Sequence, residues 1–233
     1  MPVPPAVPPA LAPIYAPPPD HGLELLFEDA ALIVAVKPAG LLSVPGRGAD
    51  LADCLSARVQ QRFPDALVVH RLDLPTSGIV VFGRGADAQR ELSRQFAARE
   101  TEKRYVAIVA GRPADAAGTI ELPLLADWPN RPRQKVDRDA GKPSVTHWRA
   151  IGAIGAGGLA LPATRIELTP VTGRSHQLRV HLAAIGHAIV GDELYADAAI
   201  RAAAPRLLLH ASALELAHPS TKFRLAFSSA PAF

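Results

Sequence analysis

A chain of 233 residues with 48% hydrophobic content is long enough to bury a sizeable core in one large domain or two small ones. Its 25 Lys and Arg against 22 Asp and Glu leave a net charge of +3, which permits a polyanionic partner without demanding one. The single cysteine, Cys54, excludes an intrachain disulfide and the cysteine-based metal patterns, and it favours a reducing, cytoplasmic setting. No stretch approaches the roughly 20 uninterrupted apolar residues of a membrane span, so no membrane partner is expected.

Residues 1–22 are rich in proline and alanine and lack the basic start and apolar core of a secretory signal. They read as a disordered or polyproline-like arm, and 23–233 as the folded domain. Leu23 to Phe27 and Leu32 to Val36 read as strands around the acidic turn Glu28-Asp29, with Lys37-Pro38-Ala39-Gly40 ending the second. Asp50 reads as the N-cap of a helix whose buried stripe is Leu51, Leu55, Val59 and Phe63.

The stretch Val68 to Phe82 organises the rest. Two apolar runs, Leu67 to Val69 and Ile79 to Phe82, read as buried strand segments separated by the breakers Pro75 and Gly78. On an extended strand Arg71 and Asp73 share a face and His70 and Leu72 take the other. A carboxylate where an apolar strand meets a turn is costly unless it is paired or used. A structural ion pair and a catalytic acid are both open at this point.

Ala86 to Ala98 repeats the helical pattern with Ala88, Leu92 and Phe96 buried and Arg90, Arg94 and Arg99 elsewhere. Lys103 to Val109 is a strand on which Lys103, Tyr105, Ala107 and Val109 share a face. Asp127 to Lys142 carries Trp128, Arg131, Arg133, Lys135, Arg138 and Lys142 and reads as a long basic loop, either merely solvated or able to grip a phosphate backbone and offer a stacking ring. A strand from Ser144 to Ile151, a Gly155 to Gly158 hairpin and a strand from Thr164 to Thr169 follow.

In Thr172 to His187, Leu178, Leu182 and Ile185 give a helical face, Ser175 a candidate cap and Gly186 a stop. Arg174 then stands at the helix N-terminus, an unfavourable place for a cation on dipole grounds, which suggests a task elsewhere. Burial alone can lift a carboxyl pKa by ~3–5 units and a neighbouring Arg lowers it by ~1–3, so the expected task of Arg174 is to pair with Asp73. His176 and His181 are five apart with no interleaved acid, a poor metal pattern, and no metal is expected. Leu207 to Ala211, Leu214 to Ala217 and Phe223 to Phe227 read as closing strands.

From about Leu23 to Phe233 the sequence resembles the RluA family of pseudouridine synthases. The resemblance rests on His70-Arg71-Leu72-Asp73 with Thr76-Ser77-Gly78, on Lys103 with Tyr105, and on Gly173 to His181. It implies an α+β pseudouridine synthase catalytic fold, a mixed and mostly antiparallel sheet with flanking helices and a central RNA-binding cleft. It implies that uridine in structured RNA is isomerised without a cofactor and without an obligate protein partner. Asp73 is then catalytic, Arg71 fills the space of the displaced base, Tyr105 packs on the flipped uracil and Arg174 supports them. Lys37, Arg47, Arg90, Arg131, Arg133 and Lys135 are softer candidates for RNA contacts. Leu41 to Arg47 and Asp127 to Val136 look more particularly like the family's dual-specificity member, which modifies a tRNA anticodon-loop uridine and another in a 23S rRNA hairpin. No separate N-terminal RNA-binding domain is expected, and Gly83 stands where the family commonly has Ala, a change expected to be silent. A non-catalytic RNA-binding module and a nucleoside glycosylase are the competing classes.

Overall fold

The computed structural model describes residues 15–154 and 159–233. The first part of the expected arm and the expected Gly155 to Gly158 hairpin lie outside the described residues. Tyr15 to Gly22, by contrast, lie against the domain: Tyr15 Oη donates to Asp53 O at 2.9 Å and accepts Leu42 N–H at 3.0 Å, and Arg58 Nη2 donates to Pro18 O at 2.8 Å. Residues 15–22 therefore do not belong to a loose arm.

In chain order, β1 (Glu24–Glu28) and β2 (Leu32–Lys37) form a hairpin around Asp29, whose carboxylate accepts the Ala31 and Leu32 amides. Helix α1 (Leu55–Arg62) begins later than the Asp50 cap predicts. Ala49–Leu51 is a short 3-10 turn, and Cys54 caps α1, its Sγ accepting Ala57 N–H at 3.4 Å. β3 (Ala66–Val68) leads through an irregular segment to β4 (Ser77–Arg84), α2 (Gly85–Ala98) and β5 (Glu102–Ala110). β6 (Ala117–Glu121) and the small hairpin of β7 (Leu124–Ala126) and β8 (Gln134–Val136) precede β9 (Val145–Ile154) and β10 (Ala163–Pro170). Then come α3 (Gln177–Ala184), α4 (Ala198–Ala202), β11 (Leu209–Ala217) and β12 (Arg224–Ser228).

The main sheet runs β1-β2-β4-β11-β5-β10-β9-β6, with β12 on β11 and β3 on β4. Among the described residues every pair is antiparallel except β4–β11, so the sheet is mixed and mostly antiparallel as expected. β4 is buried from Ser77 to Gly83, the unbroken apolar run of a strand covered on both faces. Its Val80 and Phe82 pack with Leu55 and Val59 of α1; Ile79 and Val81 pack with Leu92 of α2. A further cluster joins Ala107 and Val109 of β5, Ile166 and Leu168 of β10, and Leu178 and Leu182 of α3. Tyr105 packs against both the α1 cluster and the α3 cluster, so it marks their meeting point.

Two glycines of β4 are there for space. A Cβ at Gly78 would lie 2.3 Å from Ala211 O, and φ is +119°, so the parallel contact with β11 closes only over a glycine. A Cβ at Gly83 would lie 2.5 Å from Gln89 N and 2.6 Å from Gln89 Cα, so an alanine there drives α2 off the sheet and is not silent. Gly83→Ala is predicted to lower stability by about 1–3 kcal/mol, the range for overpacking. Gly152→Ala, at a strand position with open space, is the matched control with little change; urea unfolding midpoints of both variants check this.

Candidate active site

The segment between β3 and β4 is not strand but a pinned loop. Ser43 Oγ donates to Leu72 O at 2.8 Å and accepts Leu72 N–H at 3.0 Å. Thr76 N–H closes a turn on Asp73 O at 3.1 Å, and Gly40 N–H donates to Leu74 O at 2.9 Å. Lys37, with 0% of its surface exposed, donates from Nζ to Leu74 O, Leu41 O and Pro38 O at 3.1, 2.7 and 2.9 Å. Burial pulls its pKa down to about 7 against the opposing pull of Asp73. Lys37 therefore holds the Asp73 loop from below and is not the phosphate contact expected of it.

His70 lies toward α2 and lines the same groove as Arg71, whereas Leu72, expected to share its face, packs in the α1 cluster, so the expected strand alternation does not hold in this loop. His70 Nε2 accepts Val81 N–H at 3.1 Å and its ring stacks on Phe96 at 4.4 Å. Arg71 and Asp73, although not on a strand, line one cavity of about 130 Å³ together with Tyr105 and Arg179. Arg71, Tyr105, Lys103 and Arg174 also line an adjoining groove of about 430 Å³ that runs out past Phe96 and Arg99. Tyr105 reaches the cavity from β5. Burial, reinforced by the charge of Asp73, raises its pKa, so its hydroxyl stays protonated and is no base at neutral pH.

The expected pairing of Asp73 with Arg174 is wrong. Arg174 is exposed at the rim, and the partner is Arg179, Nη1 to Asp73 Oδ2 at 3.7 Å. Helix α3 starts only at Gln177, after His176 at φ +55°; Ser175 is not its cap. That start turns Arg179 inward. It is 3% exposed and donates from Nε and Nη2 to both oxygens of the fully buried Asp192, at 2.8 and 2.7 Å. The fork fixes the guanidinium plane and leaves Nη1 for Asp73. Asp192 also accepts the Leu194 and Tyr195 amides, so its lone pairs are met. Sequence reading assigned no role to Arg179, Asp192 or Tyr195. The available signal was an arginine between the apolar Leu178 and Val180, which a helix buried all round can tolerate only with an acid nearby.

His176 Nε2 lies 3.9 Å from Asp73 Oδ2, and burial is the main cause of its lowered pKa. The RNA-contact candidates separate. Arg131 lies over the Trp128 ring at 3.9 Å and Arg133 over Tyr195 at 5.5 Å, both on the β7–β8 hairpin that replaces the expected long loop. Arg47 is exposed. Lys135 is paired to Asp137 at 3.1 Å and Arg90 to Asp87 at 3.0 Å, so Arg90 belongs to a solvated, internally neutralised helix face. No cluster of three or more metal-ligating side chains exists among the described residues.

A family model described as RNA pseudouridylate synthase matches residues 31–184. The chain is 48% identical over 206 residues to the Escherichia coli K12 protein named dual-specificity RNA pseudouridine synthase RluA, covering 88% of this chain and 92% of that one. It is 44% identical over 222 residues to the protein of that name from Haemophilus ducreyi, with 94% and 98% covered. Among solved structures, human RNA pseudouridylate synthase domain containing 1 superposes with a TM-score of 0.77 at 27% identity over 94% of this chain and 87% of that one. Human RNA pseudouridylate synthase domain containing 4, at 23% identity and a TM-score of 0.70 over 89% and 88%, shares the fold.

Two predictions test this geometry. Arg179→Met strands the buried Asp192 and is expected to cost about 3–5 kcal/mol, against under about 0.5 kcal/mol for the exposed Arg174→Ala, read from urea unfolding. The second concerns His70, whose pKa burial and then Lys103 depress from 6.5 to about 3. The unfolded chain takes up a proton there that the native one refuses, so this contribution to stability is complete above about pH 6.5 and is lost as pH falls towards 3. His70→Gln is expected to flatten that part of the stability–pH curve.

Proposed function

Because this chain belongs to the RNA pseudouridylate synthase family, we propose that Asp73 is the carboxylate with which it isomerises uridine to pseudouridine in RNA. In this reaction the N1–C1′ bond breaks and C5–C1′ forms; C5 loses a proton and N1 gains one. No electrons are gained or lost, so the residues need only hold the nucleotide, supply one carboxylate beside sugar and base, and keep water out. What supports Asp73 is that, among the described residues, it is the one acidic side chain lining the cavity or the adjoining groove, where Arg71, Lys103, Arg174 and Arg179 stand around it.

The target base must leave its stack at a cost of a few kcal/mol, least in loops. Tyr105, protonated and anchored between two cores, offers a ring against which a flipped uracil packs. Arg71, unpaired by any acid among the described residues, sits at the mouth where it can enter the space the base vacates. The groove cations and the Trp128–Arg131 hairpin suit phosphates and unstacked bases of an RNA loop. The resemblance of Leu41 to Arg47 and Asp127 to Val136 to the dual-specificity member, with relatives bearing that name, favours two substrates: a tRNA anticodon loop and a 23S rRNA hairpin. We place the reaction in the cytoplasm, on residues 23–233 acting as one catalytic domain to which Tyr15 to Gly22 are fastened. No helix among the described residues is long and apolar enough to cross a membrane.

Asp73→Asn is expected to abolish tritium release from RNA carrying C5-tritiated uridine while RNA binding persists. Release by that variant refutes the role of Asp73; free uracil from the native protein identifies a glycosylase instead. Tyr105→Phe keeps the ring and is expected to cost far less turnover than Tyr105→Ala, equal losses pointing to hydroxyl chemistry. Pseudouridine mapping of tRNA and 23S rRNA after treatment identifies the substrates.

A further inference from the structure

Tyr195 stands outside every motif read in the sequence, yet it joins two parts of the molecule. Its Oη accepts Gln134 N–H at 2.8 Å from the first residue of β8 and lies 2.7 Å from His176 Nδ1. Its ring meets His176 edge-on at 5.7 Å, with the Arg179 guanidinium 5.1 Å away and the Arg133 guanidinium 5.5 Å away. One cation comes from the Asp73 cluster and the other from the hairpin.

His176 holds a left-handed backbone at φ +55°, which for a residue with a Cβ is strained and persists only where its surroundings enforce it. Those surroundings are Gln177, whose Oε1 accepts Arg174 N–H at 3.0 Å and the Thr172 hydroxyl at 2.7 Å. The conformation brings His176 Nε2 to 3.9 Å from Asp73 Oδ2. Where the Tyr195 hydroxyl, accepting from Gln134, donates its own proton to His176 Nδ1, the neutral imidazole carries its hydrogen on Nε2, the atom facing Asp73.

We propose that Tyr195 and His176 form a strut between the β7–β8 hairpin and Asp73, through which RNA seated on the hairpin sets the position of the Asp73 carboxylate. This rests on the reading of Asp73 as the catalytic acid. His176 is a positioning residue: 3.9 Å is longer than a hydrogen bond, and such contacts tighten when substrate arrives. At the far end of the strut, Trp128 is 66% exposed with Arg131 stacked over it, a surface suited to an RNA loop base and its phosphate. A shift of the hairpin moves Gln134 N–H, hence Tyr195 Oη, hence the imidazole beside the reacting carboxylate.

The test uses single-turnover tritium release from tRNA and 23S rRNA transcribed with C5-tritiated uridine, alongside filter-binding affinity and thermal melts. Tyr195→Phe keeps the ring and loses the link; its rate at saturating RNA is expected to fall between about tenfold and a hundredfold, the scale of a misplaced catalytic group. Affinity is expected to stay within about twofold and the melting temperature unchanged, a pattern a purely structural role does not give. His176→Ala is expected to fall at least as far, and His176→Gln, which keeps an N–H on that side, to recover part of the rate. The double variant Tyr195→Phe with His176→Ala is expected to be no slower than His176→Ala alone. A native rate in Tyr195→Phe, a loss confined to affinity, or multiplying losses in the double variant overturns the strut. An active Asp73→Asn overturns the reading beneath it; an inactive one with a native-rate Tyr195→Phe removes the strut alone.

Discussion

The arrangement depends on one guanidinium shared between two carboxylates. Arg179 is 3% exposed, and a buried cation with no partner is prohibitively costly. Asp192 meets that cost with both oxygens and is itself satisfied by two backbone amides. The pair is thus a neutral, rigid unit inside the fold, and Asp73 is attached to its remaining edge. A positive charge is thus held beside Asp73 by the fold itself, through a second acid that lines neither the cavity nor the adjoining groove among the described residues. The electrostatic environment is prepaid in folding rather than assembled at each turnover.

Everything around that unit serves placement. The β4–β11 contact, closed over Gly78, brings the loop after β3 against the start of α3, which are a hundred residues apart in the chain. Lys37, Ser43 and Gly40 then leave the loop backbone little freedom. Tyr105 projects from the seam between two apolar clusters, so its ring cannot drift without disturbing both. A pinned loop at the cavity with rigid cores on either side suits the role proposed for Asp73.

Local patterning made most elements legible. The stripes of α1 and α2 and the alternation in β5 required only period and burial. That Asp73, Arg71 and Tyr105 would meet at one cavity was legible because three sequence stretches resemble one family. The partner of Asp73 was not. An N-terminal arginine on a helix breaks a dipole rule, and Arg174 drew the inference. The helix begins later because His176 adopts a left-handed turn that no propensity anticipates, and so an arginine five residues on faces inward. Lys37 looked like a basic residue at the end of a strand, hence available to phosphate; its Nζ turns back onto the carbonyls of Pro38 and Leu41 and onto that of Leu74, which only tertiary structure brings within reach. Gly83 looked like a trivial departure because the clearance between β4 and α2 is invisible one residue at a time.

Tyr15 shows how far the domain reaches into what composition marks as tail. Its phenol bridges the amide of Leu42 and the carbonyl of Asp53, and Leu42 adjoins the serine that clamps Leu72. A polypeptide trimmed to begin at Leu23 would hand both backbone groups to water and loosen the ground on which the reactive loop stands. The proline-rich stretch thus ends in a fastening, eight residues ahead of the first strand-like run.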